Sequence, residues 1–393
     1  MKAYSLYLHI PFCQHRCGYC DFNTYAGLET AIPDYVRALC AEIELAGAAA
    51  GGRLAVHTIF FGGGTPSLLS AAQVESVLQA VAAAFDLLPE AEITMEANPG
   101  TLARDYLQAL RGLGVNRLSL GVQSANPGEL LLLERIHDYP DVIRSVTWAR
   151  QAGFDNLNLD LIFGLPEQEL STWQRTLGLV LGLYPEHFSL YALSLEHGTP
   201  FGRWAKRGLL STPDPDRAAD MYEWASEQLD AHGYGQYEIS NWAQRLPDGN
   251  VRACRHNLQY WRNQPYLGLG AGAHGYAAGV RTANVLAPGA YIQRLLHAGG
   301  DLPAFPRTPA TQTATTIDRE AEIAETMMMG LRLTQEGVSN EAFLARFGET
   351  LEQRFGAQIE KLRRQGLLEW RDQRLRLTQT ARLVGNRVFV EFI

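Results

Sequence analysis

The chain contains no run of eighteen or more apolar residues, so no membrane-spanning helix is expected. Its first residues lack the charged, then apolar, then small pattern of a secretory leader, and Tyr4 to Ile10 reads as a strand instead. Cysteine is scarce: five in 393 residues, three of them within eight positions. That distribution excludes a disulfide framework and suits a reducing, cytoplasmic setting. No large excess of positive charge is present. The formal net charge of −8 argues against non-specific nucleic-acid binding by the whole chain. Internal repeats are also missing. What remains is a chain that is 46% apolar, long enough for two or three domains or for one large barrel with an appendage.

The clustered cysteines are Cys13, Cys17 and Cys20, spaced C-x3-C-x2-C directly after the first strand. Thiolates this close repel unless a metal takes up their charge, and soft sulfur ligands favour zinc or iron–sulfur. Structural zinc would need a fourth ligand, for which His9 and His15 are the candidates. A [4Fe–4S] cube held by three thiolates would instead keep one iron open for a ligand.

Periodicity places strands at Ser5–Ile10, Leu54–Phe61, Glu92–Ala97, Val115–Val122, Asn156–Phe163 and Phe188–Leu195. Helices are predicted between them at Ile32–Ala50, Ser70–Phe85, Leu102–Leu113, Pro140–Ala152 and Ser171–Leu183. Each strand runs into a loop containing Gly, Pro or Asn. Strictly alternating units imply a parallel sheet, and six units are too few for an eight-stranded barrel. The fold class expected is therefore α/β, a partial (β/α)6 barrel with its chemistry at the C-terminal strand ends.

The cysteine spacing, the Gly62-Gly63-Gly64-Thr65-Pro66 loop after the second strand and the motifs at later strand ends resemble the radical S-adenosylmethionine (SAM) superfamily. Within it they are similar to oxygen-independent coproporphyrinogen III oxidases and their relatives. The resemblance implies a [4Fe–4S] cluster on Cys13, Cys17 and Cys20, with SAM chelating the open iron. It also implies SAM contacts from Tyr7, Tyr19, Gly63, Gly64, Thr65, Glu96, Gln123, Arg135, Asp160 and Ser194. These residue types suit the ligand: carboxylates accept from ribose hydroxyls, and a guanidinium pairs with the amino-acid carboxylate.

Two features separate this chain from the oxidases. Phe22 stands where the oxidases have a fourth cysteine, and only six residues precede Tyr7. Cys20-Asp21-Phe22-Asn23 and His256-Asn257-Leu258-Gln259-Tyr260-Trp261 resemble HemW-type heme chaperones instead. That resemblance implies heme as a bound partner with His256 as an iron ligand. It further implies an apoprotein that accepts the heme, such as a respiratory enzyme at the membrane surface, with the chain itself cytoplasmic and at most peripheral to the membrane. Activity as a coproporphyrinogen III oxidase is the alternative, and a heme-degrading radical SAM enzyme is a third. Cys254 is a further candidate iron ligand or heme attachment point, although a buried thiol is the plainer reading. Cys40 receives no role. The state is left open between monomer and homodimer.

Three segments are expected: a barrel over 1–205, an extension carrying the H-N-x-x-Y-W motif over 206–307, and a winged-helix-like domain over 308–393. Thr308–Thr316 reads as a linker. Helices are predicted at Arg319–Arg332, Asn340–Phe347 and Leu351–Gln365, with a hairpin about Asp372. The group Met327, Met328, Met329 and Leu331 reads as core. Residues 354–387 carry a local net charge of +6, read as a dock for another domain, heme propionates or a partner rather than for DNA.

Overall fold

A computed structural model describes residues 3–297 and 303–393. The described chain divides into two compact units. One comprises residues 1–225 and 265–315, the other 226–264 and 316–393.

In the first unit, six strands alternate with helices in chain order. They are β1 (Tyr4–Ile10), α1 (Ile32–Ala49), β2 (Ala55–Gly63), α2 (Ala71–Ala84), β3 (Asp86–Ala97), α3 (Arg104–Gly112), β4 (Arg117–Gln123), α4 (Tyr139–Gln151), β5 (Leu157–Phe163), α5 (Leu170–Leu181) and β6 (His187–Ala192). β1 to β6 pair side by side in sequence order and all in parallel. This is the partial (β/α)6 barrel expected from the alternation. The two faces of a strand differ: in β5, Leu157, Leu159 and Leu161 share one face and are all fully buried, whereas Asn158 and Asp160 on the other face are polar and hydrogen-bonded to each other. Local signals set the helix starts. Ser70 and Asp138 form capping boxes with Gln73 and Asp141, and satisfy the first free N–H groups of α2 and α4.

The sheet continues on the other side of β1, which periodicity did not reveal. Strand Tyr266–Leu269 runs parallel to β1, and His274–Ala277 and Val280–Asn284 follow antiparallel. Thr311–Thr316 then forms the outer strand, where a linker was expected. Threonine suits a strand, and at an edge its polar side chains stay exposed, so composition alone resembled a loop. Buried Glu42 of α1 anchors this addition. It accepts hydrogen bonds from Gly270 N–H (2.7 Å), Asn284 Nδ2 (2.8 Å), Tyr291 Oη (2.6 Å) and Thr308 Oγ1 (2.7 Å).

The second unit joins a helical core to a small sheet. Helices Arg319–Gly330, Asn340–Phe347 and Leu351–Arg364 are accompanied by Val338–Ser339, Leu368–Arg371 and Arg374–Leu377, paired antiparallel in a winged-helix arrangement. The hairpin turns through Asp372 and Gln373, both at positive φ, as a two-residue turn between twisted strands requires. Met327 lies at 0% exposure in this core and Met328 packs on its edge, as read from the sequence. Segment 226–264, with the helix Arg255–Trp261, belongs to this same unit, while 265–315 belongs to the first. The basic stretch is locally compensated. Arg354 pairs with Glu320, Lys361 with Glu391, Arg364 with Glu360, and Arg376 with Glu369.

Candidate functional site

The first unit holds a cavity of about 380 Å³ at the C-terminal ends of its parallel strands. Of the residues anticipated there, Cys13, Cys17, Cys20, Tyr19, Gly63 and Gly64 line it together. So do Thr65, Glu96, Gln123, Arg135, Asp160 and Ser194. Tyr7 stands outside this lining. Its hydroxyl is 3.0 Å from His9 Nδ1, and its ring stacks on Phe60 with 6.2 Å between centroids.

The glycine loop is what brings the cysteines against the strand ends. Gly64 N–H donates to Ile10 O (2.9 Å), and Thr65 N–H to Phe12 O (2.8 Å). A Cβ at Gly64 would fall 2.6 Å from Phe12 O and 3.0 Å from Cys13 Sγ, so only glycine allows this approach. Thr65 Oγ1 reaches Cys13 Sγ at 3.7 Å and accepts from Asn98 Nδ2 at 2.9 Å. On the opposite side, Arg135 holds the loop. Its guanidinium reaches Cys17 Sγ at 3.7 Å, Gly121 O at 2.9 Å and the Asn98 carboxamide. His137 supports this arm by bonding Val122 O through Nε2 (3.0 Å). Burial and then the nearby Arg135 charge push its imidazole down to about 4, so it stays neutral.

Gln123 and Glu134 have positive φ, 64° and 54°. The β4–β5 register also slips between Gly121 and Gln123. Such a local irregularity at a strand end re-aims a side chain, here Gln123 toward the cavity.

Two carboxylates enter from β3 and β5, the strands on either side of β4. Glu96 accepts from Gly63 N–H at 3.0 Å. Burial, and then the charge of Asp160, pushes its carboxyl up from 4.5 to about 7. Asp160 accepts from Ser119 Oγ (3.0 Å) and Asn158 Nδ2 (2.7 Å), and burial raises it too. Buried Arg117 faces both carboxylates. The sequence reading missed Arg117, Ser119 and Asn98. Arg117 lies at the start of β4, far from any loop motif, and only the register with β3 brings it beneath the carboxylates.

A second group forms in the other unit. His256 and Tyr260 lie four residues apart on the helix Arg255–Trp261, with Nε2 and Oη 2.9 Å apart and rings edge to face at 5.0 Å. Asn257 donates to Tyr237 Oη at 3.1 Å. The Arg332 guanidinium lies 5.2 Å from the Trp261 ring centre and 5.0 Å from that of Phe389. Cys254 is buried at the helix start.

The sequence profile of the radical SAM superfamily matches residues 7–180, and that of the HemN C-terminal domain matches residues 317–384. The chain is 38% identical to the heme chaperone HemW of Bacillus subtilis, with 99% of each chain covered. It is 39% identical to HemW of Mycobacterium tuberculosis, covering 98% of this chain and 94% of the relative. This chain belongs to the HemW family of the radical SAM superfamily. The fold agrees with that of coproporphyrinogen III oxidase (HemN) from Escherichia coli, a radical SAM enzyme. The TM-score is 0.82 at 23% identity, covering 100% of this chain and 90% of that one.

The donor set in the HemW-family barrel fits a polynuclear cluster better than zinc. Among the described residues, no three His, Cys, Asp or Glu side chains converge on a point that would hold one metal ion. Both histidines weighed as zinc ligands are engaged elsewhere: His9 Nε2 with Asn23 O (2.9 Å), and His15 Nε2 with Glu134 (3.1 Å). Three soft donors around one cavity, a glycine cradle at Cys13 and a buried Arg135 Nε without a partner all suit an anionic multi-atom group. Phe22 sits at the rim with 64% of its surface exposed, so no fourth thiol is offered from that position.

Proposed function

We propose that this protein is a heme chaperone: it binds heme through the second unit and passes it to an acceptor apoprotein, with a [4Fe–4S] cluster and SAM held in the barrel. The observation that carries this reading is the likeness to HemW chaperones over almost the entire chain, with the His256 motif intact. Cys13, Cys17 and Cys20 would hold the cluster. Bound there, it would leave one iron for the methionine part of SAM and, when reduced, supply one electron to the sulfonium. The chain's own groups then have separable tasks. Arg135 pairs with the SAM carboxylate while steadying Cys17. Glu96 and Asp160 accept from the ammonium and ribose hydroxyls, with Arg117 as their counter-charge. Gly63, Gly64 and Thr65 leave room for the methionine chain, and Tyr19, Gln123 and Ser194 close the cavity's sides. Tyr7 acts from behind, through His9.

His256 is the proposed heme ligand, because imidazole nitrogen is a common axial donor to heme iron. Three organisational proposals follow the same reading: barrel over 1–205, motif extension over 206–307 and winged-helix-like domain over 308–393. Within the extension, 226–264, which shares a unit with 316–393 and carries His256, would be the heme-handling part. Among the described residues, no helix is long and apolar enough to cross a membrane. A cytoplasmic chaperone meeting its acceptor at the membrane surface is the setting proposed.

The test is anaerobic reconstitution with iron counted, followed by heme titration of the wild type and His256→Ala. About four irons per chain and a heme spectrum lost in the variant are expected. Conversion of coproporphyrinogen to protoporphyrinogen, with reductant and SAM, would favour the oxidase instead.

A further inference from the structure

We propose that Tyr260 is an internal competitor for the heme site: its hydroxyl holds the His256 nitrogen that heme iron must take, yielding as heme binds and returning as heme leaves. This rests on the reading of His256 as the ligand, and adds a device for release.

Residues four apart on a helix share one face, so the Tyr260 ring lies alongside His256. The contact is 2.9 Å from Oη to Nε2, with the rings edge to face at 5.0 Å. Nε2 is the imidazole nitrogen farther from the backbone, and so the less hindered donor to a bulky macrocycle. Its tautomer does not alter the conclusion. If Nε2 accepts the phenol proton, its lone pair is occupied; if it donates, it carries a proton in place of a free lone pair. Either way iron cannot bind there until the hydrogen bond opens. His256 is only 2% exposed, whereas Tyr260 is half-buried, so the phenol is the outer member of the pair.

The surroundings are built to keep the helix in place while one side chain turns. Asn257 is tied to Tyr237, and Trp261 is covered by Arg332. Rotation of Tyr260 about its side-chain bonds uncovers Nε2 without unfolding this frame. A chaperone must release its cargo, and a ligand that always has a second partner at hand gives up iron more readily than a bare imidazole.

The test uses the full-length, cluster-loaded protein and Tyr260→Phe, which keeps the ring and removes only the hydroxyl. One neutral hydrogen bond sets the size of the effect. Heme should bind the variant about fivefold more tightly, and transfer to apomyoglobin, used as a probe acceptor, should slow by a similar factor. The nitrogen-ligand signature in electron paramagnetic resonance should stay unchanged. A merely structural role would loosen binding, the opposite sign. Unchanged or weaker heme affinity in Tyr260→Phe overturns the competitor. Loss of a phenolate-to-iron band in the variant also overturns it, because Tyr260 would then be a ligand itself. His256→Ala separates the two ideas. If it leaves the wild-type heme spectrum intact, His256 is not the ligand and both readings fall. If it abolishes the spectrum while Tyr260→Phe changes nothing, the ligand stands and the competitor fails.

Discussion

Glu96→Gln should flatten the pH dependence with which the barrel cavity takes SAM. Glu96 sits at the end of β3, with Tyr7 facing it from β1, Arg117 from β4 and Asp160 from β5. Burial dominates its behaviour, the Asp160 charge adds, and the Gly63 N–H and Arg117 offset part, so its carboxyl titrates near 7 rather than 4.5. The empty protein therefore keeps a proton on Glu96 in mildly acidic solution. The stability this proton confers is fully present below about 4.5 and is lost as pH rises through about 7. Its size is at most about 3 kcal/mol, and water entering from the cavity reduces that to about 1–2 kcal/mol. A cationic sulfonium ligand favours the ionised carboxylate, so binding below pH 7 must expel the proton. Affinity should fall by up to about tenfold per pH unit on the acid side. Glu96→Gln should remove that slope and weaken binding at pH 8 by roughly tenfold, the scale of one charged hydrogen bond. Calorimetry with the anaerobically reconstituted protein at pH 6, 7 and 8 measures this. Subtracting the variant's slope removes the titration of SAM's own amino group. If the two proteins show the same slope, Glu96 is not the group that the cation meets, and the electrostatic account of this cavity fails.

Gly64→Ala should place a methyl against Phe12 O and Cys13 Sγ and displace the cysteine loop, so iron per chain after reconstitution should fall well below the wild-type count while the fold persists by circular dichroism. Glu42→Leu leaves four buried donors without their acceptor and should cost about 3–5 kcal/mol in urea unfolding; a loss under 1 kcal/mol would mean the outer strands do not depend on this anchor. Arg332→Ala removes the cation over Trp261 and Phe389 and a charge facing buried Glu238, whose carboxyl burial already raises. Stability should drop by about 2–4 kcal/mol, more at pH 8 than at pH 5, because Glu238 without its cation resists ionising as pH rises; equal losses at both values would count against that pairing.

Local chemistry made much of this protein legible in one dimension. The C-x3-C-x2-C spacing, the triple glycine, Ser70 as a cap and the period of each strand and helix are all written in neighbouring residues. Their physics acts over one or two turns of chain, so sequence alone determines them. The hairpin about Asp372 was readable for the same reason. The strands at 266–284 and 311–316 were not: Tyr266–Leu269 becomes a strand by pairing with β1, formed more than 250 residues earlier, and the short, partly polar segments after it extend the edge that this pairing creates. Arg117 gave no signal either: an arginine starting a strand is usually solvated, and its placement under Glu96 and Asp160 comes from the parallel register of three strands. The same holds for His256. The sequence marks it by motif, but only the folded helix sets Tyr260 on its Nε2 and buries the imidazole. Spacing along the chain decided which groups could act, and packing between distant segments decided what each one touches.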